Sequence, residues 1–240
     1  MKKLLALPLL TLLGVSLNAT ILIPGDVNVA VGSSTVAGLT LSGGPIATSS
    51  VAFNVSGGSG NLQHLSGTLI SAVYRTVGGT LDFFYQVIQN PKPPANPFDN
   101  TTTQDLFGPI TAEYSANAFF VSNSGSLTGS PFSTPSIVSG FQAGTQSLTA
   151  SRNDFAVDFH LKQLPLTNDP ARTTSAVFVI ATDATLYKAD TAQVAGGTVA
   201  ANPATFAPTP EPGFYGALAV GLGVLFSAVS RRNKKETVNL

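Results

Sequence analysis

The sequence contains no cysteine and no tryptophan, a single methionine and only two histidines, His64 and His160. Without cysteine there is no disulfide framework, no thiolate metal site and no thiol nucleophile. Charge is scarce as well: Asp, Glu, Lys and Arg make up 10% of the chain, with 12 residues of each sign. The balance is uneven along the chain. Between Thr20 and Pro208 there are six cations and ten acids, a net −4, while both ends are basic. A mildly acidic body offers no electrostatic footprint for nucleic acid. Also absent are leucine-rich helical periodicity and the strings G-x-S-x-G, Walker A, G-x-G-x-x-G and H-E-x-x-H. The sequence therefore assigns no catalytic residue, no metal ligand and no cofactor, and the expectation is a non-enzymatic protein.

What remains is rich in Ser, Thr, Gly and β-branched residues, the composition of antiparallel β structure. The predicted fold class is all-β, an antiparallel β-sandwich body at residues 20–200. A body of about 190 residues buries a core without staples, and one domain is the default. Gly67 to Val77 and Thr80 to Asn90 read as a hairpin, with Gly78-Gly79 as a two-residue type I′ turn. Paired numbers then sum to 157: Arg75 faces Asp82, Tyr74 faces Phe83, Ala72 faces Tyr85 and Ile70 faces Val87. On that register Tyr74, Ala72, Ile70, Leu81, Phe83, Tyr85 and Val87 cover the core from one face. Further strands are predicted at 20–23, 26–31, 51–55, 110–121, 154–164, 174–182 and 192–200. In the 154–164 stretch Asp154, Ala156, Asp158 and His160 alternate with Phe155, Val157, Phe159 and Leu161, the period of a half-buried strand.

Chemistry-bearing residues are few. Asp154 and Asp158 on one strand face would stand about 13 Å apart, too far for a glycosidase pair. Asp158 and His160, two apart on one face, could share a cation given a third ligand, or serve a hydrolase with partners from elsewhere. Solvated polar residues on the outer face of a strand is the preferred reading. His64 reads as a loop residue. Tyr74, Phe83 and Tyr85 read as core rather than as an aromatic platform for sugars, with Phe84 left open.

The two ends carry a different instruction. Lys2 and Lys3, then a Leu4–Leu13 apolar run broken only by Pro8 and Thr11, then small residues, have the layout of a secretory signal peptide over 1–19, with Ala19 its last residue and Ser16 a second choice. Residues 201–212 read as a Pro/Ala/Thr-rich tether. Gly213 to Ser230 is 18 residues without a charge, about 27 Å as a helix, matching a hydrocarbon core of roughly 30 Å. Arg231, Arg232, Lys234 and Lys235 within the tail 231–240 would halt transfer and stay on the cytoplasmic side.

Pro210-Glu211-Pro212, a short glycine-rich apolar stretch and an Arg-rich tail together resemble the PEP-CTERM sorting module of Gram-negative bacteria. Gly67-Thr68-Leu69, Val73-Tyr74-Arg75, Gly79-Thr80-Leu81-Asp82 and Tyr85-Gln86-Val87 are similar to a body pattern recurring in proteins with such tails. The resemblance implies Sec export, a single-pass inner-membrane precursor with its body in the periplasm, and recognition and cleavage near the motif by a membrane-embedded exosortase. It implies delivery to the cell surface or extracellular matrix, and bacteria that make exopolysaccharide. Two alternatives stand beside it: a carbohydrate-binding sandwich that retains exopolysaccharide, and an unprocessed single-pass anchor in the lipid bilayer.

Overall fold

A computed structural model describes residues 19–57, 63–90, 105–121, 124–135, 148–161, 173–209 and Val220. The strands in chain order are β1 (Thr20–Leu22), β2 (Val29–Ala30), β3 (Ser33–Ser34), β4 (Ala47–Gly57), β5 (Gln63–Arg75), β6 (Leu81–Gln89), β7 (Asp105–Pro109) and β8 (Ala116–Val121). They continue with β9 (Thr149–Arg152), β10 (Ala156–His160), β11 (Thr173–Thr174), β12 (Val177–Thr182), β13 (Tyr187–Thr191), β14 (Gln193–Gly196), β15 (Val199–Ala201) and β16 (Ala204–Pro208). The large sheet runs β1-β8-β12-β6-β5-β4, with β11 also on β6 and β3 on β8. A six-stranded sheet runs β15-β14-β7-β10-β9-β2, and β13 pairs with β16. Every pairing is antiparallel except β3 with β8. The described chain is all-β.

The two large sheets face each other as a sandwich. Leu69, Val73, Phe83, Tyr85, Phe178 and Ile180 of the large sheet share one buried cluster with Leu106, Ala150, Val157, Phe159 and Val194 of the other. Phe159 and Phe178 meet across the gap with ring centroids 5.1 Å apart. At Gly108 the layers come so close that a Cβ would lie 2.5 Å from Ile180 Cδ1 and 3.2 Å from the Tyr85 ring. Glycine is used there because the opposite sheet occupies the space of a side chain.

The large sheet is buried on its second face too. Ile70, Ala72, Tyr74, Phe84, Phe119, Val121, Val177 and Val179 pack under Leu127 and Phe132, with Val36, Leu39 and Leu41 against them. Strands covered on both faces read as continuous apolar runs rather than alternations, which accounts for Phe83-Phe84-Tyr85. All three are essentially fully buried, as is Tyr74, so these aromatics are core and Phe84 belongs with them.

The expected hairpin register is corrected by one residue. The pairs are Tyr74↔Asp82, Val73↔Phe83 and Ala72↔Phe84, and Arg75 lies opposite Leu81 instead of Asp82. The loop is three residues long, Val77-Gly78-Gly79. Thr76 N–H donates to Thr80 O at 2.9 Å, Gly79 N–H donates to Thr76 O at 3.0 Å, and Gly79 takes φ 91°. This is a turn followed by a left-handed residue, the three-residue alternative to the two-residue type I′ loop. A one-residue slip moves side chains to the opposite face. Tyr74, Ala72 and Ile70 therefore face the outer cluster, while Leu81, Phe83, Tyr85 and Val87 face the sandwich interior. Arg75 Nη1 donates to the Gly79 carbonyl at 2.7 Å, and Asp82 is buried among apolar neighbours.

Residues 201–209 of the segment expected to be a tether are instead part of the body. β15 ends at Ala201, and β16 pairs along Tyr187–Thr191. Phe206 packs on the interior cluster and meets Tyr187 edge-on. Its prolines do not forbid this, because β16 is an edge strand in a two-stranded sheet and Pro208 ends it. Thr209 N–H donates to Leu186 O at 3.2 Å. The body thus runs to Thr209 rather than stopping at residue 200. The expected strand 110–121 is really β8 alone, and 192–200 is the hairpin β14–β15. His64 is a strand residue, its Nε2 2.6 Å from Asn54 Oδ1 on β4.

Residues 1–18, the Pro210-Glu211-Pro212 motif, the apolar stretch 213–230 apart from Val220, and the basic tail lie outside the described residues. Among the described residues no helix is long and apolar enough to cross a membrane.

Candidate functional site

The alternation expected in β10 fixes the site. Val157, Phe159 and Leu161 are buried in the core, so Asp158 and His160 face outward on the six-stranded sheet. Phe155 falls in the turn before the strand and is exposed. Antiparallel pairing then decides which neighbours these two residues meet. His160 lies opposite Asp105 on β7, and Asp158 lies opposite Ser151 on β9.

These pairings bring together four polar side chains from three adjacent strands. His160 Nδ1 is 2.9 Å from Asp105 Oδ1 and 3.5 Å from Asp158 Oδ2. On the other side of the ring, His160 Nε2 is 2.8 Å from Ser151 Oγ. Ser151 Oγ also accepts the Asn28 backbone N–H at 2.9 Å. Asn28 is the one non-glycine among the described residues with positive φ, at 53°, so a left-handed kink next to β2 aims that N–H at the serine. Asp105, Asp158 and His160 each place one ligand atom within 4.8 Å of the others.

The electrostatics of the group are uneven. Burial pushes the Asp158 carboxyl up to about 7, with Asp105 pushing the same way and His160 opposing. Asp158 Oδ1 is fully shielded and has no hydrogen-bond partner among the described residues. A shielded carboxylate oxygen without a partner is costly. Ser151 and Asp158 also border a shallow open groove of about 540 Å³, whose other walls include Pro24, Asp26, Val27 and Phe107.

Arg152, next to Ser151 but pointing inward, is 4% exposed. Its Nη1 donates to Leu22 O at 2.5 Å, and its Nη2 donates to Tyr114 O and, at 3.4 Å, to Thr111 O. Burial lowers its pKa while Asp183, Asp26 and Asp154 act in the opposite direction. It fastens β1 and the 111–114 turn to β9, a structural task. Tyr114 in turn donates its hydroxyl to Thr209 O at 2.5 Å.

Of the residues weighed from sequence, Asp158 and His160 come together on one face as the alternation requires. Asp105 and Ser151 were not foreseen. Local pattern carries no trace of the strand pairing that delivers them, and β7 is interrupted by Gly108 and Pro109, weak strand formers. Pro210, Glu211 and Pro212, expected to form a sorting motif, and the cations Arg231, Arg232, Lys234 and Lys235, expected to halt transfer, lie outside the described residues. No family model, curated protein or solved structure matches this chain.

Proposed function

We propose that this is an exported, non-enzymatic protein of the cell envelope or extracellular matrix. On this reading it is a single-pass inner-membrane precursor, and a PEP-CTERM-type module comprising Pro210-Glu211-Pro212, Gly213–Ser230 and the cations from Arg231 to Lys235 sorts it. Exosortase and the Sec machinery are its processing partners. The observation that carries the reading is where the body's two ends lie. Arg152 binds the carbonyl of Leu22, three residues past the expected leader, and that of Tyr114, whose hydroxyl binds Thr209, the residue before Pro210. Both ends of the body are therefore gathered at one place. Once the leader is removed only the C-terminal end must stay at the bilayer, and Thr209, held by Leu186 and Tyr114, fixes where the body ends just before the expected spanning stretch.

The test is intact-mass analysis of the protein recovered from a host with and without exosortase. A mature form ending near Pro210-Glu211-Pro212 only when the exosortase is present is the expected result. Identical masses in both hosts, with residues 213–240 retained, would leave an unprocessed single-pass anchor instead.

A further inference from the structure

We propose that Asp105, Asp158 and His160 form a binding site for a transition-metal dication of the zinc class on the outer face of the six-stranded sheet. The inference concerns the body alone and holds whichever route the chain takes to its destination. The separations of both carboxylate oxygens from Nδ1 match those of ligands sharing one ion. Ligands about 2.1 Å from a zinc ion stand about 3.0 Å apart when they subtend a right angle and about 3.4 Å apart at the tetrahedral angle. Here Nδ1 is 2.9 Å from Asp105 Oδ1 and 3.5 Å from Asp158 Oδ2, and all three donor atoms lie within 4.8 Å of one another, so a bound ion would draw the two carboxylates together around it. The three residues project from two neighbouring strands whose backbones are fixed by the ladder, so the spacing depends on sheet geometry and not on flexible loops.

The other ring nitrogen supplies an independent argument. A metal-bound imidazole needs a second partner that sets its tautomer and angle. Ser151 Oγ is 2.8 Å from Nε2 and is itself held by the Asn28 N–H. A hydroxyl both donates and accepts, so it can serve the ring before and after Nδ1 exchanges its proton for a metal. Lastly, the shielded Oδ1 of Asp158, which has no hydrogen-bond partner among the described residues, marks a carboxylate whose hydrogen bonding is incomplete there. One imidazole with two carboxylates suits zinc or manganese better than calcium, which takes oxygen donors only. Three protein ligands leave a coordination position for an external oxygen.

The experiment is calorimetric titration of the chelator-treated full-length protein with zinc chloride, alongside His160→Ala, Asp105→Asn, Ser151→Ala and His64→Ala. One equivalent of zinc should bind. His160→Ala and Asp105→Asn should weaken binding at least tenfold, Ser151→Ala by about tenfold, and His64→Ala should leave it unchanged. Cobalt should give visible absorption bands that His160→Ala abolishes. Asp105→Asn keeps the size of the side chain, and unchanged metal-free melting would establish that its fold is intact. Absence of stoichiometric zinc binding would overturn the proposal, as would binding that survives both His160→Ala and Asp105→Asn.

Discussion

Asp82 is a carboxyl placed where a carboxylate is costly, and its removal gives the sharpest test of the register. It lies on the covered face of the large sheet, opposite Tyr74 on β5 and Ala181 on β12, and is 6% exposed. Burial raises its pKa from 3.8 to about 7, against the pull of a hydrogen bond from the Thr182 backbone. The folded protein therefore keeps a proton that the unfolded chain releases between about pH 4 and pH 7. Because the folded state binds more protons across that window, its stability falls as pH rises through it, and is level on either side. That difference between the folded and unfolded carboxyl corresponds to ~4 kcal/mol. Asp82→Asn removes the titration and keeps the shape. Urea unfolding of the two proteins from pH 4 to pH 8 should show Asp82→Asn gaining on the wild type by ~4 kcal/mol across the window. Asp158 adds a slope of the same sign to both proteins, so the difference isolates Asp82. Parallel stability curves would refute the argument, and with it the placement of Asp82 on the buried face.

Gly67→Ala should cost ~3 kcal/mol, because its Cβ would meet the Ile88 carbonyl and lie 2.8 Å from the Phe53 ring; Gly78→Ala, whose nearest neighbour is Thr76 Oγ1 at 3.6 Å, should stay within about 0.5 kcal/mol in the same chemical unfolding assay. Arg152→Leu should cost ~3–5 kcal/mol in thermal or urea unfolding, since charge-assisted bonds to the Leu22 and Tyr114 carbonyls are each worth about 1.5–3 kcal/mol. Arg152→Lys should restore only part of this, having no planar fork to reach both carbonyls. A chain ending after Pro203 should lose cooperative thermal unfolding, whereas one ending after Thr209 should melt like the full body.

Sheet class was legible because it rests on composition and period, which are local. β10 shows this most clearly: its alternation placed Asp158 and His160 on the outer face before any partner strand was known. The hairpin shows the limit. Gly78-Gly79 permits either a two-residue or a three-residue loop, and only the Thr76–Thr80 pairing with its 2.8 Å hydroxyl contact decides between them. The run Phe83-Phe84-Tyr85 was the available sign of two-sided burial, since a strand wet on one face cannot carry three successive aromatics inward. Asp105 was out of reach, being 55 residues from His160 and brought there by a ladder that no local signal encodes. Residues 201–209 misled through composition: Pro, Ala and Thr look like linker, yet Thr205 and Ala207 are small enough to be buried against the body.

The extension of the body to Thr209 changes what the proposed processing must accomplish. If residues 201–212 were slack, an enzyme at the membrane would meet a flexible strand well away from any fold. With β16 paired and Thr209 bonded at both its N–H and its carbonyl, only Pro210, Glu211 and Pro212 separate the fold from the apolar stretch. Even fully extended, that spacer reaches about 14 Å from Thr209 to Gly213, so the body would sit against the bilayer surface before release. Cleavage within the spacer would then leave every described hydrogen bond of the sandwich intact, the last of them being made by Thr209. On the proposed reading, a chain ending at Thr209 should therefore melt at the same temperature as the full-length protein, and a lower melting temperature would show that residues after Thr209 help hold the body together.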